Sequence, residues 1–405
     1  MAWVRNSIAL LACLALAVVS ALAAAAQVFE VHQPQRALAA GVSVGFARAN
    51  AAGLLLSAGA VKDIARPIDA SKVDSQTITA LARASYTAEP LNVAAIRTLG
   101  LLAEAKGETG RSADLMRNAV KLTRRDLPTN VWLIRTDGAN SDARGMLSAF
   151  DNALRTSQRA RALLIPGLFQ YLDRQDLVAP VLGMLRQNPN WETDFWSNAH
   201  TNPKAMHNVV SIRIARGQDG YHPPAGYDLR IMQQLVRTAQ FEDAKRLSDY
   251  LDPGQDRTAI VRNPGFEQKP GMAPFAWDLQ FAADLSARIE RPQGLLAFTS
   301  YGGGAAQVAR QLVALPAGPL VFSAKAGTAG ASSDVRFRLV CAVSTAGPVI
   351  ELGGIGAGPK LFQRPPGACT YYWLEIAMAA SDRREVRDVA IDRISIVKDS
   401  AGSRR

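Results

Sequence analysis

Few residues of this 405-residue chain combine the types and spacing that catalysis requires. The segment Gly41-Val42-Ser43-Val44-Gly45 matches a G-x-S-x-G nucleophile elbow, but that motif needs a strand before it and a helix after it. Here it lies in an alanine-rich stretch with helical spacing, so we interpret it as a chance match. His200 and His207 are seven positions apart, and we interpret them as ordinary histidines rather than metal ligands. The sequence therefore predicts a protein without enzymatic activity.

Aromatic residues near the C-terminus are better candidates for binding, because sugars stack on flat aromatic faces. The candidate ligand-binding residues are Trp277, Tyr301, Tyr371 and Trp373. Successive residues of a strand point to opposite faces, so Tyr371 and Trp373 share one face and Tyr372 occupies the other. At least one of these two sets must therefore pack in a core.

Three cysteines are present, and Cys13 lies in an apolar N-terminal run. Cys341 and Cys369 remain as an even pair, which predicts a disulfide if the chain is exported. Two cysteines without a nearby histidine do not make a structural zinc site.

The chain is basic, with 46 Lys and Arg against 35 Asp and Glu and a formal net charge of +11. The basic residues are scattered, whereas nucleic-acid binding needs them clustered on one element or face. We therefore expect no nucleic-acid partner.

Residues 1–26 contain an apolar run, Ile8 to Ala26, which follows a single Arg5. Its core has the length of a signal-peptide h-region, and Ala24-Ala25-Ala26 offers a cleavage site. The full run is also just long enough to span a bilayer, so a cleaved signal peptide and a retained membrane anchor both remain open. Both predict an exported chain, either periplasmic or anchored in the inner membrane and facing the periplasm. Membrane contact is expected only through this segment.

The stretch Pro90 to Arg125 holds two amphipathic runs divided by a turn around Gly107. Apolar and small residues recur at helical spacing in both runs, which predicts a pair of packed helices. Arg97 is expected near the opposite face of the first helix. Thr129 is a candidate N-cap for the helix that follows.

This pair resembles a tetratricopeptide (TPR) unit. Leu99 and Gly100 match its Leu-Gly pair, Met116 its large apolar position and Ala119 its later alanine. The resemblance implies that these four residues lie at the packed interface of the pair. One pair cannot bury its own apolar face, so an α-solenoid of stacked pairs is expected over residues 27–255.

Periodicity changes near Asp252. Short β-type runs replace helical spacing, and Gly and Pro clusters separate them. We predict an α domain followed by a β domain, with a β-sandwich over residues 256–400.

The opening Asn263-Pro264-Gly265-Phe266-Glu267 and the closing strand around Asp392 resemble the ends of galactose-binding-like jelly rolls, which serve as carbohydrate-binding modules. The resemblance implies that Glu267 and Asp392 lie near a structural calcium site, since hard oxygen ligands suit calcium. The alternative is that both carboxylates pair with basic neighbours.

Together these features predict an exported, non-enzymatic scaffold. Its TPR-like groove would bind another envelope protein, and we expect work on cell-surface polysaccharide, its assembly or its export. The alternative is a carbohydrate-binding protein that uses the jelly roll to bind glycan, with the helical part as a spacer.

Overall fold

The computed structural model has a helical N-terminal region followed by a β-sandwich, as the sequence predicts. It describes residues 2–29, 31–39, 45–60, 74–224, 226–282, 284–301, 303–327, 334–343, 347–367, 369–380 and 386–399.

The structure describes fourteen α-helices before the sandwich. They are α1 (Ala2–Phe29), α2 (Pro34–Ala39), α3 (Gly45–Ala60), α4 (Ser75–Ala88), α5 (Val93–Ala105), α6 (Thr109–Leu122), α7 (Leu127–Ala139), α8 (Ala143–Thr156), α9 (Gln158–Tyr171), α10 (Val178–Leu185), α11 (Glu192–Asn198), α12 (Met206–Gln218), α13 (Tyr227–Arg237) and α14 (Phe241–Leu251).

The first of these helices is apolar. Within α1, Ala12–Phe29 is long and apolar enough to cross a membrane, with a mean hydropathy of 2.2. A signal sequence near the N-terminus can meet the same criteria of length and hydropathy, so the helix is consistent with either role.

Consecutive helices pack against each other in pairs, α3 with α4, α5 with α6 and α7 with α8. The second helices of these pairs begin at Ser75, Thr109 and Ala143, which are 34 positions apart (109 − 75 and 143 − 109). The first helices α5 and α7 also begin 34 positions apart (127 − 93). The helical region is therefore periodic along the chain.

The period extends to the residues that fill each pair. Ser85, Ala119 and Ala153 recur at 34 positions (119 − 85 and 153 − 119), and all three small side chains are buried. One turn earlier, Met116 and Phe150 are equivalent large residues, both buried. The α5–α6 and α7–α8 pairs thus combine one large and one small residue at matching places, whereas α4 has Ala82 at the equivalent large position.

Gly100 shows how closely α5 and α6 approach each other. A Cβ atom at Gly100 would lie 3.1 Å from Met116 Cε and 3.3 Å from Leu115 Cβ. The Ser112 hydroxyl donates a hydrogen bond of 2.8 Å to the Gly100 carbonyl. Gly100, Met116 and Ala119 are buried, and Leu99 is half-buried against a neighbouring apolar cluster.

The start of α7 differs from the sequence prediction. Asp126, not Thr129, is the N-cap, and its carboxylate accepts a hydrogen bond of 3.1 Å from the Thr129 backbone N–H. Pro128 lies in the first turn, where a helix needs no N–H. Asp126 also forms an ion pair with Arg97 of α5. Arg97 is therefore half-buried against the next pair and does not lie on a free outer face.

The β-sandwich consists of two antiparallel sheets. Its strands are β1 (Asp278–Leu279), β2 (Leu285–Glu290), β3 (Leu295–Ser300), β4 (Ala306–Ala314), β5 (Pro319–Ala326), β6 (Val335–Cys341), β7 (Val349–Gly353), β8 (Lys360–Gln363), β9 (Tyr371–Met378) and β10 (Arg387–Lys398). One sheet has the order β1-β4-β9-β6-β7 and the other β2-β3-β10-β5-β8. In the second sheet β10 pairs with β3 on one side and β5 on the other.

Alternating residues of both sheets meet in one core. Phe322 of β5 and Phe337 of β6, which belong to opposite sheets, have ring centroids 5.2 Å apart. Cys341 and Cys369 form the predicted disulfide at the edge of this core, with a Cα–Cα distance of 5.7 Å. A disulfide indicates an oxidising compartment.

Contacts divide the chain into two compact units, Met1–Asn198 and Ala199–Arg405. The second unit contains α12, α13 and α14 together with the sandwich, so the change of composition near Asp252 falls inside it. Arg262 ties these helices to the strands: its guanidinium donates 2.8 Å to Ser248 Oγ of α14 and pairs with Asp249. The backbone of Arg262 exchanges two hydrogen bonds, of 2.8 and 3.0 Å, with the side-chain amide of Gln311 on β4.

Candidate functional site

Strand β9 carries aromatic side chains on both of its faces. Tyr372 points between the sheets and is fully buried, whereas Tyr371 and Trp373 lie on the outer face of the sheet. The alternation predicted from the sequence is therefore correct, and Tyr372 is the core residue.

Tyr371 is covered by the helices of its own unit. Its ring lies 5.2 Å from the ring of Phe241 on α14 and 6.4 Å from that of Phe275, and only 5% of the residue is exposed. Burial raises the pKa of its hydroxyl, and the neighbouring carboxylates of Glu242 and Asp249 raise it further. Tyr371 thus packs α14 onto the sheet and leaves no free ring face for a ligand.

Trp373, two residues along, lines an open cleft of about 360 Å³ between α13 and the outer face of the sheet. We call it the Trp373 cleft. The helix contributes Leu229, Met232, Gln233, Val236 and Arg237, and the sheet side contributes Ala273, Pro274, Asp278, Arg310 and Trp373. This volume lies in the lower part of the range for small-ligand pockets.

Charge and aromatic surface meet in the Trp373 cleft. The Arg310 guanidinium carbon lies 4.5 Å from the Trp373 ring centroid, within cation–π distance. Arg310 Nε donates a hydrogen bond of 3.0 Å to Asp278 Oδ2. The arrangement places the hydrogen-bonding groups of Arg310 and Asp278 beside an aromatic side chain, which suits a ligand with hydroxyls.

The other predicted aromatic residues lie outside this cleft. Trp277 is buried in the sandwich core, where its indole N–H donates 3.2 Å to the Asn263 carbonyl. Tyr301 follows β3 and is 58% exposed. The structure therefore brings one of the four candidates, Trp373, into a cleft. Sequence reasoning did not identify Arg310 and Asp278 as its partners, because only strand pairing brings them next to Trp373.

The two carboxylates proposed for calcium have different surroundings. Asp392 Oδ2 lies 2.7 Å from Lys325 Nζ on the neighbouring strand, and Glu267 is exposed. Among the residues that the structure describes, no group of three or more His, Cys, Asp and Glu is arranged to hold a metal ion. These surroundings of Asp392 and Glu267 do not test the calcium site, which stays a prediction.

Among the described residues, the histidines and the G-x-S-x-G segment are not brought together into one site. His207 Nδ1 lies 2.9 Å from Asp243 on the exposed face of α12 and α14. His200 is half-buried, and its pKa is lowered by burial and by the charges of Arg230 and Arg237. Of the G-x-S-x-G segment, only Gly45 lies within the described residues.

The helical unit has a groove of its own, of about 520 Å³, between α8 and α10. Its lining is mainly apolar, from Ala143, Leu147, Pro180 and Met184, with polar residues Arg144, Ser148, Asp151 and Gln187 beside them. Helix α8 is the second member of the α7–α8 pair, and α10 packs against it.

No protein-family model matches the chain, and no curated protein is significantly similar to it.

Proposed function

We propose that the chain is an exported, non-enzymatic scaffold whose TPR-like helix pairs bind another protein of the cell envelope. The observation that supports this most is the 34-residue recurrence of helix starts and of buried residues such as Ala119 and Ala153. TPR units have this period, and stacked units present extended grooves to partners. The apolar N-terminal helix and the disulfide support export.

The α8–α10 groove is the surface we assign to the partner protein. A photoreactive residue at Ser148, which is exposed in the groove, should crosslink a discrete protein in envelope extracts. Lys121, exposed on α6, is the matched position outside the groove. No crosslinked protein at Ser148, or the same products at both positions, would contradict this assignment.

A second function, glycan binding by the C-terminal unit, is favoured by the Trp373 cleft. Its sandwich has the two-sheet form of the jelly rolls that the ends of the domain resemble, and Trp373 offers an aromatic face beside polar groups. The two functions are compatible, and both fit work on cell-surface polysaccharide. Titration of the full-length protein with neutral and acidic oligosaccharides tests the second one directly.

A further inference from the structure

The Trp373 cleft carries more positive than negative charge. Two guanidinium groups, Arg237 and Arg310, line it against one carboxylate, Asp278. Asp278 is already paired with Arg310. Arg237 donates to the side-chain oxygen of Gln234, and no carboxylate of the described chain lies within ion-pair distance of it. The cleft therefore holds one guanidinium whose charge is not compensated.

A second cation lies near Arg237. Arg230 lies seven residues, about two helical turns, before Arg237 on α13. Both arginines lie near His200, since the charges of both help to lower its pKa. The positive potential along this face of α13 favours an anion.

The chemistry of the lining selects among anions. A guanidinium binds a carboxylate through two parallel hydrogen bonds, and the Trp373 ring gives a flat apolar face next to it. Leu229, Met232 and Val236 form an apolar wall on the helix side. A ligand that matches these three features has a carboxylate, hydroxyl groups and a ring with an apolar face.

We propose that the Trp373 cleft binds an acidic sugar residue, of the uronic acid class, within a glycan. Arg237 holds the carboxylate, Trp373 stacks on the sugar ring, and the Arg310–Asp278 pair contacts its hydroxyls. This proposal rests on the glycan-binding function proposed above and names the chemical class of its ligand.

The test compares two ligands that differ only in charge. Trigalacturonate and its carboxyl-reduced, neutral counterpart are titrated calorimetrically into the full-length protein, kept in a polyoxyethylene detergent that has no sugar headgroup. We expect the uronate to bind about tenfold more tightly or better, since a hydrogen bond to a charged group contributes more than a neutral one. The difference should shrink at high salt.

Three variants locate the binding. Arg237→Gln should remove the preference for the uronate, so that the two trisaccharides bind with similar affinity. Trp373→Phe keeps an aromatic ring and should weaken both ligands moderately, whereas Trp373→Ala should abolish both. Arg288→Gln, an exposed residue on β2 paired with Glu290, is the matched control and should change neither.

The outcomes separate the two proposals. Equal affinity for both trisaccharides overturns the acidic-sugar proposal and leaves glycan binding in place. Binding of neither ligand overturns both. A uronate preference that survives Arg237→Gln and Trp373→Ala places the ligand elsewhere and overturns the assignment to this cleft.

Discussion

The ring of Phe241, the first residue of α14, lies 5.2 Å from the ring of Tyr371, the first residue of β9. These residues come from segments of opposite character, one helical and one extended. Their contact lies within one compact unit that also holds the Arg262 bonds to Ser248 and Asp249. The outer face of the sheet is therefore partly a helix-packing face.

A fragment of residues 199–405 should consequently fold on its own better than one of residues 256–405. The shorter fragment lacks α14 and exposes Tyr371 and Phe275, so it should bind a hydrophobic dye and unfold at lower urea concentration. Dye fluorescence and urea titration of the two fragments measure this. Equal stability and no dye binding by the shorter fragment would show that the helices are dispensable.

Replacing Arg262 should weaken the second unit. Arg262→Leu removes the buried guanidinium that bonds Ser248 and Asp249, while Asp249 keeps its pair with Lys245, so we expect a loss of about 1–3 kcal/mol. Arg246→Ala on the same helix breaks an exposed pair with Asp243 and should cost less than about 0.5 kcal/mol. Chemical unfolding followed by tryptophan fluorescence compares the two, and similar losses would mean that Arg262 does not hold α14 in place.

Gly100→Leu should destabilise the α5–α6 pair. The new side chain would enter space occupied by Met116 and Leu115, and overpacking typically costs about 1–3 kcal/mol. Gly110→Ala in α6 is the control, because nothing lies within 4 Å of a Cβ atom there. Hydrogen exchange should quicken in α5 and α6 of the first variant and stay unchanged in β10. Unchanged hydrogen exchange in Gly100→Leu would show that the interface between α5 and α6 can accommodate the larger side chain.

The disulfide predicts a definite thiol count. The oxidised full-length protein should present one reactive thiol in denaturant, Cys13, and three after reduction. Replacing Cys341 and Cys369 by Ser opens a loop of 28 residues and should cost about 3.5 kcal/mol by loop entropy. Three thiols before reduction would exclude the disulfide in the purified protein.

Asp137 on α7 should make the stability of the helical unit depend on pH. Burial raises the pKa of its carboxyl, Asp142 raises it further, and Arg117 opposes them. A carboxyl with a raised pKa contributes stability below its unfolded pKa, about 3.9, and this contribution is lost as pH rises through the folded pKa. Asp137→Asn should therefore stabilise the protein at pH 7 and much less at pH 4.

Urea unfolding followed by far-UV circular dichroism at both pH values checks this prediction. Asp114→Asn, an exposed change on α6, is the control and should have little effect at either pH. A loss of stability in Asp137→Asn at pH 7 would mean that the attraction of Arg117 outweighs burial.

Local patterns predicted the elements better than the contacts between them. Helical spacing located the α5–α6 pair, and β-type runs located β3, β5, β6, β9 and β10, because periodicity reflects which face is buried. The sequence prediction missed Asp126 as the cap of α7, although Asp is a better N-cap residue type than Thr, because the expected helix start was placed three residues too late.

Local sequence patterns could not predict contacts between residues that are far apart in the chain. Arg97 was expected on an outer face, but Asp126 of the next pair neutralises it. Trp373, Arg310 and α13 form a cleft only after strand pairing and helix packing have brought them together. The composition does change near Asp252, but this change does not predict that α12, α13 and α14 belong to the same compact unit as the sandwich.

The position of β10 has a consequence for synthesis and export. It is the last strand that the structure describes, and it lies in the middle of its sheet, where Arg387 pairs with Ser300 and Lys398 with Leu320. Until residues 387–398 emerge, the β2–β3 pair and the β5–β8 pair have no strand that joins them. A chain without residues 387–398 cannot close this sheet, so we expect it to expose unpaired strand edges and to be degraded by proteases.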